Sequence, residues 1–79
     1  MSTDEHVMQT IADTLGVDRA DITPDTKADD VVTWDSMGKM SILFALTDEF
    51  GVALGPDETD KLDSVRGILN LVRDTNENA

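Results

Sequence analysis

Ser36 stands directly after Asp35, where an apolar helical pattern begins in Asp35-Ser36-Met37-Gly38-Lys39-Met40. Its hydroxyl is the side chain best placed for covalent chemistry. Neither His nor Lys adjoins it, so the sequence shows no base to make it a self-sufficient nucleophile. Taken alone, the pair also reads as an ordinary helix start, with Asp35 as N-cap and Ser36 in the first turn. Other chemistry is thin. The chain has no Cys and one His, His6, which excludes a thiolate metal site and a His-rich one. Asp25 to Ser36 has acids at alternate places, like a calcium loop, but lacks the central Gly and the final Glu. Asp29 and Asp30 there read as a solvated acidic loop or a weak cation contact, and no metal site is assigned. With no phosphate-cradling Gly loop and no partnered nucleophile, the chain is not expected to be an enzyme.

The elements that must position Ser36 follow from periodicity. A first helix is expected from about Thr3 to Leu15, where Val7, Ile11 and Leu15 recur with Met8 and Ala12 beside them. Ser2-x-x-Glu5 has the spacing of a capping box, and Gly16 suits a left-handed C-cap. A connection of about 19 residues follows, from Gly16 to Trp34, a length often associated with function. Val17, Ile22, Val31 and Val32 are expected to pin it to the core. Val31 to Trp34 has strand propensity but no partner strand. The second helix is expected from Ser36 to Phe50 and closes at Gly51, with Phe50, Val52 and Leu54 packed beneath it. A short helix is expected over Asp57 to Leu62. A last helix should run from Val65 to Arg73, capped by Asp63 or Ser64, with Val65, Ile68, Leu69 and Val72 on its apolar face. Thr75 to Ala79 reads as a frayed tail. The fold class is all-α: a small four-helix bundle of three main helices and one short one, in a single domain over residues 1–79.

Length and charge bound the rest. The chain has 79 residues, enough for one core. It carries 17 Asp and Glu against 6 Lys and Arg, for a net charge of -11. Nucleic acid and anionic membranes both require the opposite sign. The expected partners are proteins with basic docking patches, although solubility alone would also account for the charge. No signal peptide or membrane span is visible, and a cytoplasmic monomer is expected.

One face of the second helix exceeds what a core needs. At 100° per residue, Ile42, Leu43, Leu46 and Phe50 cluster on the core side. Ser36, Met37, Met40, Ser41, Phe44, Thr47 and Asp48 fall on a neighbouring arc. Met40 and Phe44 either widen the core stripe or, with Met37, form an exposed patch beside Ser36. Such patches mark contact sites, and Met suits a surface that accepts several partners. Gly38 costs about 1 kcal/mol of helix propensity. That cost implies a close approach, either by another molecule or by the chain's own packing.

Together these segments resemble the acyl carrier protein family. Asp35-Ser36-Met37 is similar to the family's Asp-Ser-Leu motif. Ile42-Leu43-Phe44-Ala45-Leu46-Thr47-Asp48-Glu49-Phe50-Gly51-Val52 resembles its "ALEEEFG" segment. Ile22-Thr23-Pro24-Asp25-Thr26 resembles its first-loop motif, and Leu62-Asp63-Ser64-Val65 the start of its last helix. The resemblance covers nearly the whole chain with spacing intact.

The resemblance implies a function. Ser36 would carry 4'-phosphopantetheine, transferred from coenzyme A by a phosphopantetheinyl transferase, with Asp35 as the adjoining motif and cap residue. The arm's thiol would hold an acyl or aminoacyl group as a thioester, loaded by a ligase and presented to downstream synthase or transferase enzymes. A phosphodiester at a helix N-terminus is favoured by the helix dipole. Met37, Met40, Ser41, Phe44, Asp48 and Trp34 are the expected partner-contact residues, Trp34 alternatively packing the loop onto the bundle. Ser41 and Thr47 stand where the family often has Glu, Lys39 adds a positive charge, and Trp34 replaces a small residue. These departures point to a specialised biosynthetic pathway rather than fatty-acid synthesis. An unmodified acidic interaction module is the competing reading.

Overall fold

The computed structural model describes residues 3–77. Three α-helices carry the fold: α1 (Thr3–Leu15), α2 (Ser36–Phe50) and α3 (Val65–Glu77). The first two match the expected spans, because periodicity and caps are local signals. Gly16 and Gly51 both take the left-handed conformation, at φ 70° and 71°. Gly51 donates its amide to the carbonyls of Leu46 and Thr47, closing α2. The Ser2 half of the expected capping box lies outside the described residues.

One expectation at a helix end is corrected. α3 continues past Arg73 to Glu77, so the tail expected to fray at Thr75 begins as helix. Buried Leu71 and Val72 anchor that turn, and Thr75 Oγ1 donates to the Leu71 carbonyl at 3.0 Å. Arg73 also pairs with Asp4 of α1. The short helix expected at Asp57 to Leu62 is a 3-10 helix, Pro56–Leu62, beside the three α-helices of the described residues. So short a segment gains little from α-helical bonds against their nucleation cost. Glu58 holds it instead, accepting the Gly55 amide through Oε2 at 3.2 Å, while Leu62 is fully buried at its end.

The core lies where the three helices meet. Val7, Met8, Ile11, Ala12 and Leu15 come from α1, Ile42 and Leu46 from α2, and Val65, Ile68, Leu69 and Val72 from α3. Each large side chain so buried contributes roughly 1.5–3 kcal/mol. His6 joins α1 to the end of α2, its ring edge-on to Phe50 at 4.8 Å and its Nε2 3.4 Å from Glu49 Oε2. After α2, Val52 is buried in the core and Leu54 packs against it.

The long connection is held at several points. It contains two 3-10 turns, Arg19–Asp21 and Ala28–Asp30. Ile22 is fully buried, and Val17 and Val31 pack against the core. Buried Thr26 accepts the Thr23 amide at 2.9 Å, and the Thr26 carbonyl accepts the Val65 amide at 3.0 Å. Lys27 and Ser64 form an isolated antiparallel bridge. Val32 departs from expectation, being 98% exposed. Val31 to Trp34 forms a turn, closed by the Trp34 amide donating to the Val31 carbonyl at 3.0 Å, which throws Val32 outward and leaves no strand there.

Candidate functional site

Ser36 is the first residue of α2 and is exposed. Asp35 adopts extended backbone geometry and caps the helix, its Oδ1 accepting the Gly38 amide at 2.8 Å. The Asp35 carbonyl takes the Lys39 amide at 2.8 Å. Helix geometry leaves the Ser36 and Met37 amides without an intrahelical acceptor. The result is an accessible hydroxyl at the positive end of a helix, whose nearest carboxylate is already engaged by a backbone amide.

Gly38 resolves to internal packing. A Cβ at this position would lie 2.3 Å from the Thr33 carbonyl oxygen and 3.2 Å from Leu15 Cδ2. The close approach implied by a helical glycine is therefore made by the chain itself. Trp34 follows the same logic and corrects its assignment as a partner-contact residue. It is 4% exposed, and its Nε1–H donates to the Leu62 carbonyl at 3.0 Å. An indole with one polar atom is well suited to fill a core and satisfy a buried carbonyl. Thr33 on α2 and Trp34 against Leu62 thus clamp the loop immediately before Ser36.

The outward arc of α2 keeps its apolar residues exposed: Met37 at 80%, Phe44 at 66% and Met40 at 42%. Ser41 and Asp48 are exposed beside them. The two arcs divide as the wheel suggests, with Ile42 and Leu46 buried and Leu43 and Phe50 partly buried. Two departures on this helix are absorbed internally. The Lys39 ammonium pairs with the Asp63 carboxylate just before α3. Thr47 Oγ1 lies 2.9 Å from the Leu43 carbonyl and 2.8 Å from the Val52 carbonyl, in reach to donate to either.

Sequence reasoning missed two features. Val32 is apolar and reads as inward-facing; its exposure follows from the turn, which hydrophobicity does not reveal. The Lys39–Asp63 pair joins residues too far apart in sequence for periodicity to show. Two acids of the loop have structural duties: Asp30 Oδ2 accepts the Lys27 amide at 3.0 Å, and Asp25 pairs with Arg66 at 2.9 Å. Among the described residues, no three His, Cys, Asp or Glu side chains converge as metal donors, and no helix is long and apolar enough to cross a membrane.

The geometry fits a phosphodiester-linked arm. Ser36 would hold it through Oγ, with the phosphate charge beside the Ser36 and Met37 amides and the α2 dipole. When bound, the group would supply the thiol that a chain without Cys lacks.

The chain is similar to known proteins over most of its length. The family described as phosphopantetheine attachment site matches residues 5–72. An acyl carrier protein of Solidesulfovibrio magneticus is 32% identical, over 91% of this chain and 92% of that protein. One from Thermosynechococcus vestitus is 31% identical, over 86% of this chain and 84% of that protein. One from Petrotoga mobilis is 34% identical, over 86% and 80% respectively.

Proposed function

The chain belongs to the acyl carrier protein family of phosphopantetheine-bearing carriers, and from that premise we propose that Ser36 is its attachment site. Residues 1–79 act as one carrier domain. The arm on Ser36 Oγ holds an acyl or aminoacyl group as a thioester and presents it to partner enzymes in a specialised biosynthetic pathway. The observation that carries this reading is the exposed Ser36 at the capped start of α2, continuous in sequence with exposed Met37.

Each residue has a distinct part. Asp35 fixes where the helix begins, and so where the Ser36 hydroxyl emerges. Gly38 lets the preceding loop pack against α2, and Trp34 ties that loop to Leu62. Met37, Met40 and Phe44 offer partners an apolar surface, and Asp48 with the net charge of -11 draws basic docking patches toward it. Ser36 needs no base of its own, because the modifying transferase supplies one. The same transferase, a loading ligase and the synthase enzymes that consume the thioester are the partners implied.

A second reading, a carrier for fatty-acid synthesis, draws support from one observation. Of the four departures, Trp34 is buried, Lys39 is paired with Asp63, and the Thr47 hydroxyl is within hydrogen-bond reach of the Leu43 and Val52 carbonyls. Ser41 alone changes the exposed arc without an internal use. Mass spectrometry of the protein from its own host, with the thioester intact, separates the two by the cargo.

The attachment is tested by incubating the protein with coenzyme A and a broad-specificity phosphopantetheinyl transferase, then measuring intact mass. One phosphopantetheine adduct is expected on the wild type and none on Ser36→Ala. An unmodified wild type supports the unmodified interaction-module reading instead, and an adduct that survives the substitution overturns Ser36 as the attachment site.

A further inference from the structure

We propose that the turn carrying Val32 is a second contact surface for the transferase that modifies Ser36, separate from the apolar arc of α2. This inference rests on the Ser36 assignment above. Its starting point is a residue the fold does not explain. Val32 is a corner residue of the Val31–Trp34 turn and is 98% exposed. A β-branched apolar residue is poorly suited to a turn corner, where Gly, Asn, Asp or Ser is preferred, and at this exposure it returns nothing through burial.

Its position links it to the attachment site. The neighbouring Thr33 carbonyl lies against Gly38 in the first turn of α2, so the turn is docked on the helix end that bears Ser36. Beside Val32 is an open depression of about 360 Å³ whose lining includes Val17, Val31, Asp21 and Asp30. A lining of valines and two aspartates suits a Lys or Arg side chain, whose stem would lie on the valines while its charge meets the acids. The depression therefore favours a partner surface with basic side chains.

The occupant follows from reach. The transferase must close on Ser36 Oγ itself, forming the Oγ–phosphorus bond while the phosphoanhydride bond of coenzyme A breaks. The Ser36 proton passes to a base of the transferase, and 3',5'-adenosine bisphosphate leaves. Enzymes that act on the thioester react at the far end of the arm, so their chemistry does not require them to close on this turn. The transferase is thus the partner that must cover the surface next to Ser36.

The test measures steady-state transfer from coenzyme A by a broad-specificity phosphopantetheinyl transferase to wild type, Val32→Ser and Val32→Lys. Unfolding of each is followed by circular dichroism. Val32→Ser is expected to lower kcat/KM about 3- to 10-fold, chiefly through KM. Val32→Lys is expected to lower it further by opposing basic side chains. Both variants should unfold like the wild type. Wild-type modification with both variants within about twofold of it overturns this inference and leaves the Ser36 reading intact. No adduct on the wild type overturns both. Unchanged transfer with impaired loading by a ligase would assign the turn to the loading enzyme and overturn the proposal. Dimerisation of the wild type that Val32→Lys abolishes, with transfer unchanged, would assign it to a second copy and do the same.

Discussion

The Thr33 carbonyl oxygen is packed so closely on Gly38 that a Cβ there would sit 2.3 Å from it. This one relationship fixes the loop against the first turn of α2 and sets the approach to Ser36. It opposes helix propensity, which favours Ala over Gly by about 1 kcal/mol. Gly38→Ala should nevertheless destabilise the protein, because overpacking against backbone costs about 1–3 kcal/mol. A melting temperature lowered by several degrees is expected. A rise would mean that the Thr33 carbonyl yields freely.

Trp34 supports the same clamp from the other side. Trp34→Phe keeps most of the buried area but leaves the Leu62 carbonyl without its indole donor. A loss of about 1–3 kcal/mol is expected by urea titration. Modification of Ser36 in the variant, assayed well below its midpoint, should stay close to wild type, since Trp34 is buried away from any partner.

The start of α2 separates capping from attachment. Ser36→Ala changes an exposed residue and should alter stability by less than about 0.5 kcal/mol while abolishing the phosphopantetheine adduct. Asp35→Ala removes the acceptor of the Gly38 amide and should cost about 1 kcal/mol. Paired mass spectrometry and denaturation distinguish the two effects.

Phe44 tests the apolar arc. Phe44→Lys should leave the melting temperature nearly unchanged, as the ring is 66% exposed. Loading by a partner enzyme should fall tenfold or more if the ring anchors docking. Parallel losses of helicity and loading would place Phe44 in the core function of the helix instead.

Glu58 governs a pH effect. The Gly55 amide, the hydrogen bond from Lys61 and the Lys61 charge hold its carboxyl below the ordinary value of 4.5. A depressed folded-state pKa means that its contribution is complete above the unfolded value and is lost as pH falls through the folded one. Glu58→Gln should therefore melt below wild type near neutrality, and the gap should close as pH drops below about 4.5. Thermal unfolding of both proteins between about pH 3 and 7 measures that gap. A constant gap would remove Glu58 as its source.

The sequence by itself determined the three helices, their caps at Asp35, Gly16 and Gly51, the buried stripes and the motif around Ser36. All of these depend on neighbours within a turn or two, where spacing and side-chain type are sufficient. The tertiary structure decided which apolar residues face inward. Trp34 enters the core because it finds the Leu62 carbonyl across the chain. Val32, two residues earlier, is turned out by the bend between them. Gly38 is small because Thr33 lies on it, and Lys39 is neutralised because Asp63 arrives beside it. Each outcome depends on where the long connection docks against α2 and the start of α3. That docking is set by contacts between distant residues, which no local period records.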